Sequence, residues 1–311
     1  MERLRVSLTR RRSLRGYEPT RRGDGRVAIL FLLPDFIGFF VFTLLGVVGT
    51  LAISFTHWDL VKSPTWLGLE NYRALVDDPL FWQVVRNTIY YTAAVVPIST
   101  ALGLFVALGL NRRLPGSVVL RTAYFAPFIT TLASAALLWQ WIFDPNRGLI
   151  DSWLYVIGVS NPPAWLNSSV WAMPALIIFG VWRQLGFSMV LFLAGLQGVP
   201  KSLLEAATVD GANAWQRFRH VTLPLISPTT FFVVIISAIG SFQLFDQAYI
   251  LSSGRLGPAN ATNTVVGYLY QKAFVDLNMG LASATAWALF IVIFAVTILQ
   301  LVGQRRWVHY E

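Results

Sequence analysis

The chain has 311 residues, no Cys, 55% apolar residues and 13% charged ones, where soluble domains carry about 25% charge. That much apolar surface excludes a soluble two-domain protein, and the missing thiols exclude disulfide frameworks, thiolate metal sites and cysteine nucleophiles. The net charge of +9 suggests nucleic-acid binding until it is mapped, because nine of the 24 basic residues precede Val27; no nucleic-acid partner is expected.

Residues 1–26 read as a solvated basic tail in the cytoplasm, with unspecific attraction to anionic lipid. Arg11-Arg12 resembles an export signal, but the apolar run that follows far exceeds the roughly 7–15 residues of a cleaved signal. A retained first span is expected.

Hydrocarbon about 30 Å thick needs roughly 20 apolar residues in a helix. Six stretches qualify: 27–55, 88–110, 122–143, 171–193, 229–251 and 281–302. The expected fold class is an all-α polytopic membrane protein. Its six-helix transmembrane domain covers 27–302, with a cytoplasmic loop at 194–228 and a cytoplasmic tail at 303–311. Pro34, Pro97 and Pro127 interrupt spans, which bundles tolerate where neighbours or a cavity satisfy the freed backbone.

With the N-terminus inside, seventeen Lys and Arg fall on the cytosolic side, including Arg112, Arg113, Arg121, Arg305 and Arg306. Six fall outside, and Arg183 lies within span four. The positive-inside bias therefore places both termini in the cytoplasm. Trp58, Trp66, Trp82, Trp139, Trp141, Trp153, Trp165 and Trp171 all fall toward the outer side, as an interfacial aromatic belt requires.

Covalent chemistry has no carriers. His57, His220 and His309 lie in loops or tails, and Lys201-Ser202 follows Pro200 where a phosphate-binding loop needs Gly. The chain is expected not to be an enzyme and to hold no metal or cofactor of its own.

Polar residues inside the membrane are costly and usually face a cavity. Arg183 lies near the middle of span four between Trp182 and Gln184, and Gln243 and Asp246 lie three apart in span five, on one helix face. Two readings stand: Arg183 and Asp246 pair with each other, or they contact a solute. Trp182 and Phe242 either stack on that solute or pack the bundle.

The loop after span four is the most informative segment. Ser202-Leu203-Leu204-Glu205 matches a capping box, the helix it starts runs to a left-handed stop at Gly211, and a second helix with Trp215 and Phe218 on one face ends at Leu223-Pro224. By local physics this is either an amphipathic hairpin lying on the membrane or a docking element.

Glu205-Ala206-Ala207, then Asp210-Gly211, then Val221 and Leu223-Pro224 resemble the EAA loop of binding-protein-dependent ABC importer permeases. Leu193-Ala194-Gly195-Leu196-Gln197, Trp66 to Tyr72, Asn87-Thr88, Asp144-Pro145 and Ser241-Phe242-Gln243 resemble the carbohydrate-uptake branch, in particular the larger permease of maltose systems or the first permease of glycerol-3-phosphate systems. Gly254-Arg255-Leu256-Gly257-Pro258 is longer than the family's compact turn there.

The resemblance implies a type I importer subunit in a bacterial inner membrane. It implies a second homologous permease, two cytosolic ATPases that bind ATP and magnesium, and an extracytoplasmic solute-binding protein. Glu205, Ala206, Ala207, Asp210, Gly211, Leu223 and Pro224 would couple to the ATPases. Trp182, Arg183, Gln184, Phe242, Gln243 and Asp246 would line the path of a sugar, oligosaccharide, polyol, glycerol-3-phosphate or glycerophosphodiester. The alternatives are an ion-coupled secondary transporter and a non-transporting assembly subunit.

Overall fold

The computed structural model describes residues 24–112, 115–305 and Val308. Most of the basic tail, Arg113, Arg306 and His309 lie outside the described residues. The contacts divide the chain into residues 1–50 and 51–311.

In the first unit, α1 (Asp24–Gly38) passes through a π-helical turn (Phe39–Leu44) into α2 (Leu45–Ile53), which runs on across the division. Pro34 lies inside α1. Its missing N–H leaves a gap in the hydrogen-bond ladder, and the chain absorbs it without ending the helix. The apolar stretch Ile29–Ile53 is 25 residues, about 37 Å of helix and enough to cross a bilayer.

The second unit opens with a two-stranded ribbon, β1 (Thr56–His57) antiparallel to β2 (Thr65–Trp66), with Thr56 opposite Trp66. Helix α3 (Glu70–Asp77) follows, and Asn71 on it donates to the carbonyls of Ser54 and Thr56 at 2.9 and 2.8 Å. Helix α4 (Pro79–Leu110) is 32 residues long. It starts well before residue 88 because Asp78 caps it, accepting from Leu80 N at 2.8 Å, and Pro79 suits its first turn.

The third apolar stretch is two helices, α5 (Ser117–Ile129) and α6 (Leu132–Ile142), bent by 99°. Pro127 removes a donor from the last turn of α5, and Thr130 and Thr131 adopt ψ of 140° and 135°, far from helical values. Helix α7 (Leu149–Val156) precedes α8 (Ala172–Gly198), which crosses α4 closely: a Cβ on Gly103 would lie 2.5 Å from that of Ser188. Small residues there let the two backbones approach, as membrane helix pairs require.

After α9 (Lys201–Val209), α10 (Ala214–Arg217) and α11 (Leu223–Leu225), the fifth stretch is α12 (Ser227–Phe242) and α13 (Asp246–Leu251). A single helix over 229–251 is therefore corrected: Gln243 ends α12, and Phe245 at φ −143°, ψ −62° leaves helical space. Gln243 and Asp246 do not share a helix face.

Helix α14 (Val265–Tyr270) and a π-helical turn lead to α15 (Met279–Gln304), capped by Asn278. Among the described residues, four helices qualify as spans by length and apolarity, or up to six with each bent pair counted once.

Two sequence features prove architectural. Asn87 donates to the carbonyls of Asn260 and Asn263, and Thr88 Oγ1 accepts from Val265 N, so α4 clamps the segment before α14. Tyr268 OH donates to Asp78 at 2.7 Å; burial first, and then that bond, push its hydroxyl above the ordinary range and keep it a donor. Trp139 and Trp165, expected in the interfacial belt, are buried at 9% exposure. Trp139 packs with Phe143, Phe179 and Trp182, and Trp165 donates to buried Asp151.

Candidate functional site

The segment from Val199 to Ile226 is a helix, a glycine turn and a second helix presented outward. Pro200, extended at ψ 126°, is the N-cap of α9, so Ser202 falls inside the helix and makes no cap. The capping box expected at Ser202–Glu205 is thus absent. Proline fixes the chain entry two positions too early for the Ser to serve. The box forms instead at α10, where Asn213 Oδ1 accepts from Gln216 N at 2.9 Å and Gln216 Oε1 accepts from Asn213 N at 2.8 Å.

Gly211 ends α9 at φ +80°, as the sequence requires. Ala212 N donates to Ala207 O at 2.9 Å and Gly211 N to Thr208 O at 3.1 Å, the paired bonds of a Schellman stop. Arg217 Nη1 then reaches back to Thr208 Oγ1 at 2.8 Å, and Trp215 and Phe218 pack at 5.6 Å between ring centres. The Schellman stop shapes the turn, and the Arg217–Thr208 bond ties α10 back to α9 across it.

Leu223-Pro224 does not end the second helix. A π-helical turn (Phe218–Thr222) carries α10 into α11, and the chain bends 65° only at Ile226 before α12. Pro224 lies directly after the π-helical turn, within the continuous helical run Ala214–Leu225. Glu205, Ala206, Asp210, Gly211 and Leu223 are exposed, while Ala207 and Pro224 are half-buried. Val209 is 87% and Trp215 63% exposed, so this surface is both apolar and acidic.

The intramembrane residues separate into distinct surroundings. Trp182 packs against Trp139 and Phe179 at 5.3 and 6.0 Å. Gln184 donates to Ser237 Oγ at 3.0 Å, joining α8 to α12. Phe242 is buried and lines a small apolar cavity with Thr88, Val265 and Ala288, which is a packing position. Gln243 and Asp246 are exposed on either side of the α12–α13 break.

Arg183 and Asp246 form no ion pair. Among the described residues the one salt bridge is Lys272–Asp276 at 2.8 Å. Arg183 instead lies over the Phe128 ring at 5.8 Å, and its Nε is buried without a partner. Phe128 stacks on Phe125 and Phe187 at 5.6 and 5.0 Å. Phe125 and Phe128 sit three apart around Pro127 in the sequence, a visible signal; Phe187 gave none.

A larger cavity of about 550 Å³ opens between the α6–α7 turn and residues 251–258, lined by Gln140, Asp144, Asn167, Ser253 and Arg255 among others. Backbone N–H groups of Asn146, then Arg147, hold the Asp144 carboxyl below its usual range. The longer turn there is shaped by four left-handed residues, Ser253, Gly254, Leu256 and Gly257.

Residues 99–309 match the family model described as binding-protein-dependent transport system inner membrane component. The chain is 38% identical over 292 residues to the probable ABC transporter permease protein YesP of Bacillus subtilis, covering 93% of this chain and 94% of that one. It is 35% identical over 274 residues to the arabinooligosaccharides transport system permease protein AraP of the same organism, covering 88% and 86%. Among solved structures, a chain of a bacterial ABC transporter that imports the acidic polysaccharide alginate superposes with a TM-score of 0.76 at 21% identity, covering 91% of this chain and 96% of that one.

Proposed function

The chain belongs to the binding-protein-dependent transport system inner membrane component family, and on that premise we propose that it is the permease subunit of an ABC importer for a sugar or oligosaccharide. It works beside a second permease in a bacterial inner membrane, with both termini cytoplasmic. Two ATPases on the cytosolic face bind ATP and magnesium, and a solute-binding protein delivers the cargo from outside. The sugar class is carried over from the arabinooligosaccharide relative.

The observation that carries this reading is the exposed α9–Gly211–α10 unit. It is held by its own hydrogen bonds rather than by the bundle, as a part seated in another subunit must be. Glu205, Ala206, Ala207, Asp210, Gly211, Leu223 and Pro224 form or support the docking surface. When the ATPase dimer closes on ATP, the unit moves as one body. It pulls on α8 through Val199-Pro200 and turns α12 through the 218–225 helix. Gln184–Ser237 joins those two helices at membrane depth, so Trp182, Arg183, Gln184, Gln243 and Asp246 change their surroundings together. Alternating access then follows from ATP favouring one state of the bundle over the other.

Gly211→Asp tests the reading. Asp at positive φ costs up to roughly 1–2 kcal/mol, which weakens the Schellman stop, and its carboxylate adds a charge to the docking surface. Membrane insertion should persist, while uptake and the stimulation of ATP hydrolysis by loaded binding protein are lost. Wild-type uptake with wild-type stimulation would remove this loop from the mechanism.

A further inference from the structure

A groove of about 520 Å³ runs along one face of α5 (Ser117–Ile129). Thr122, Phe125, Ala126 and Ile129 form its floor, at the three- and four-residue spacing of a single helix stripe. Val190 of α8 adds a wall, and Arg121 and Thr130 stand at the two ends. From Arg121 to Thr130 the chain rises about 13 Å. One leaflet's share of hydrocarbon about 30 Å thick is about 15 Å. The groove therefore has the length of one leaflet, and it stops where span three breaks by 99°.

Its chemistry is gathered at one end. Thr122 Oγ1 donates to Val118 O at 3.0 Å and Thr130 Oγ1 to Ala126 O at 2.8 Å, so neither hydroxyl hydrogen is free for a polar solute. Arg121 Nη2 donates to Leu110 O at 3.0 Å, closing the last turn of α4, while its Nε is buried without a partner. Among the described residues no carboxylate pairs with it. A guanidinium carries five N–H donors and keeps its charge at physiological pH. One carbonyl leaves donors to spare and the whole charge uncompensated. Arg112, exposed two residues beyond Leu110, adds a second positive charge at that end.

We propose that this groove binds one anionic phospholipid of the cytoplasmic leaflet, its phosphate on Arg121 and an acyl chain along Phe125, Ala126, Ile129 and Val190. Charge complementarity selects the occupant. An unpaired cation heading an apolar groove one leaflet long fits a molecule with an anion at one end and a hydrocarbon chain behind it. Basic pockets between spans on the cytoplasmic side take acidic headgroups in this way. The choice of leaflet rests on the orientation proposed above; the binding chemistry does not.

The test uses the complete complex of both permeases and ATPases in phosphatidylcholine nanodiscs. A trace of phosphatidylglycerol or of phosphatidylcholine, each with a diazirine in one acyl chain, is added and irradiated, and labelled residues are located by peptide mass spectrometry. Phe125, Ile129 and Val190 should be labelled by the glycerol lipid on the order of fivefold more than by the choline lipid. Phe294, exposed on α15, should be labelled equally by both. Arg121→Gln should bring the two lipids level in the groove. Where that variant does not assemble, Ala126→Trp carries the test: it fills the groove, keeps the charge and should remove labelling of Ile129 and Val190. Equal labelling by the two lipids in wild type, a preference that Arg121→Gln leaves intact, or labelling that survives Ala126→Trp overturns the inference. So does labelling of the groove by neither lipid, which would show it covered by protein such as the second permease. None of these outcomes touches the import reading, which Gly211→Asp tests. A reporter active only outside the cytoplasm, fused after Glu311, checks the leaflet: silence supports it, and activity overturns the cytoplasmic assignment alone.

Discussion

Asp151 is 3% exposed, and its carboxylate takes the indole N–H of Trp165 at 2.7 Å. Removing the acceptor strands a buried donor, at a cost of about 1–3 kcal/mol. Asp151→Ala should lower the melting midpoint of the purified complex by a few degrees, and Asp151→Asn, which keeps an acceptor, by less; equal effects would show that the bond contributes nothing. Ala206 and Ala207 differ similarly in role. Ala207 is half-buried and its carbonyl anchors the Schellman stop, whereas Ala206 is exposed. Ala206→Trp is therefore the cleaner probe of docking, and should abolish co-purification of the ATPases without lowering the yield of the permeases. Single residues were partly legible. Gly211 announced its left-handed turn because few other residues tolerate one, but Arg183 gave no hint that it would face an aromatic ring rather than Asp246.

At the scale of elements, composition marked six apolar stretches, since bilayer thickness dictates length. It did not locate the breaks. Thr130-Thr131 and Gln243 to Phe245 contain no Gly or Pro and sit inside apolar runs, and only the dihedrals there interrupt the helix. Capping was similarly misread: Pro200 starts α9 before Ser202 can cap it, and the capping box that does form belongs to the next helix, at Asn213. Asn213→Ala should destabilise α10 by about 0.5–2 kcal/mol, seen as faster amide exchange over residues 211–218. Ser202→Ala should leave exchange in α9 unchanged; the opposite pattern would restore the sequence-based assignment.

For the whole molecule, orientation rests on the distribution of Lys and Arg, seventeen against six. A reporter active only outside the cytoplasm should be silent when fused after Glu311 and active within residues 144–170. The reverse would invert the topology and with it the cytosolic placement of Glu205 and Gly211. Charge asymmetry could be counted from sequence alone because it depends on loops, not on packing. The assignment of Asn87 and Thr88 could not, since their partners Asn260, Asn263 and Val265 lie far along the chain.

The α9–α10 unit is fastened unequally at its two ends. Toward α8 the link is two extended residues, Val199 and Pro200, at ψ 121° and 126°. Toward α12 helical structure runs through Phe218–Thr222 and Leu223–Leu225. In the coupling proposed above, the extended end acts as a leash and the helical end as a drive shaft bent at Ile226, so motion reaches span five more directly than span four. An extra residue after Val199 lengthens the leash and should leave much of the uptake intact. An extra residue after His220 turns everything downstream by about 100°, putting the docking face and span five out of phase, and should stop transport in a complex that still assembles.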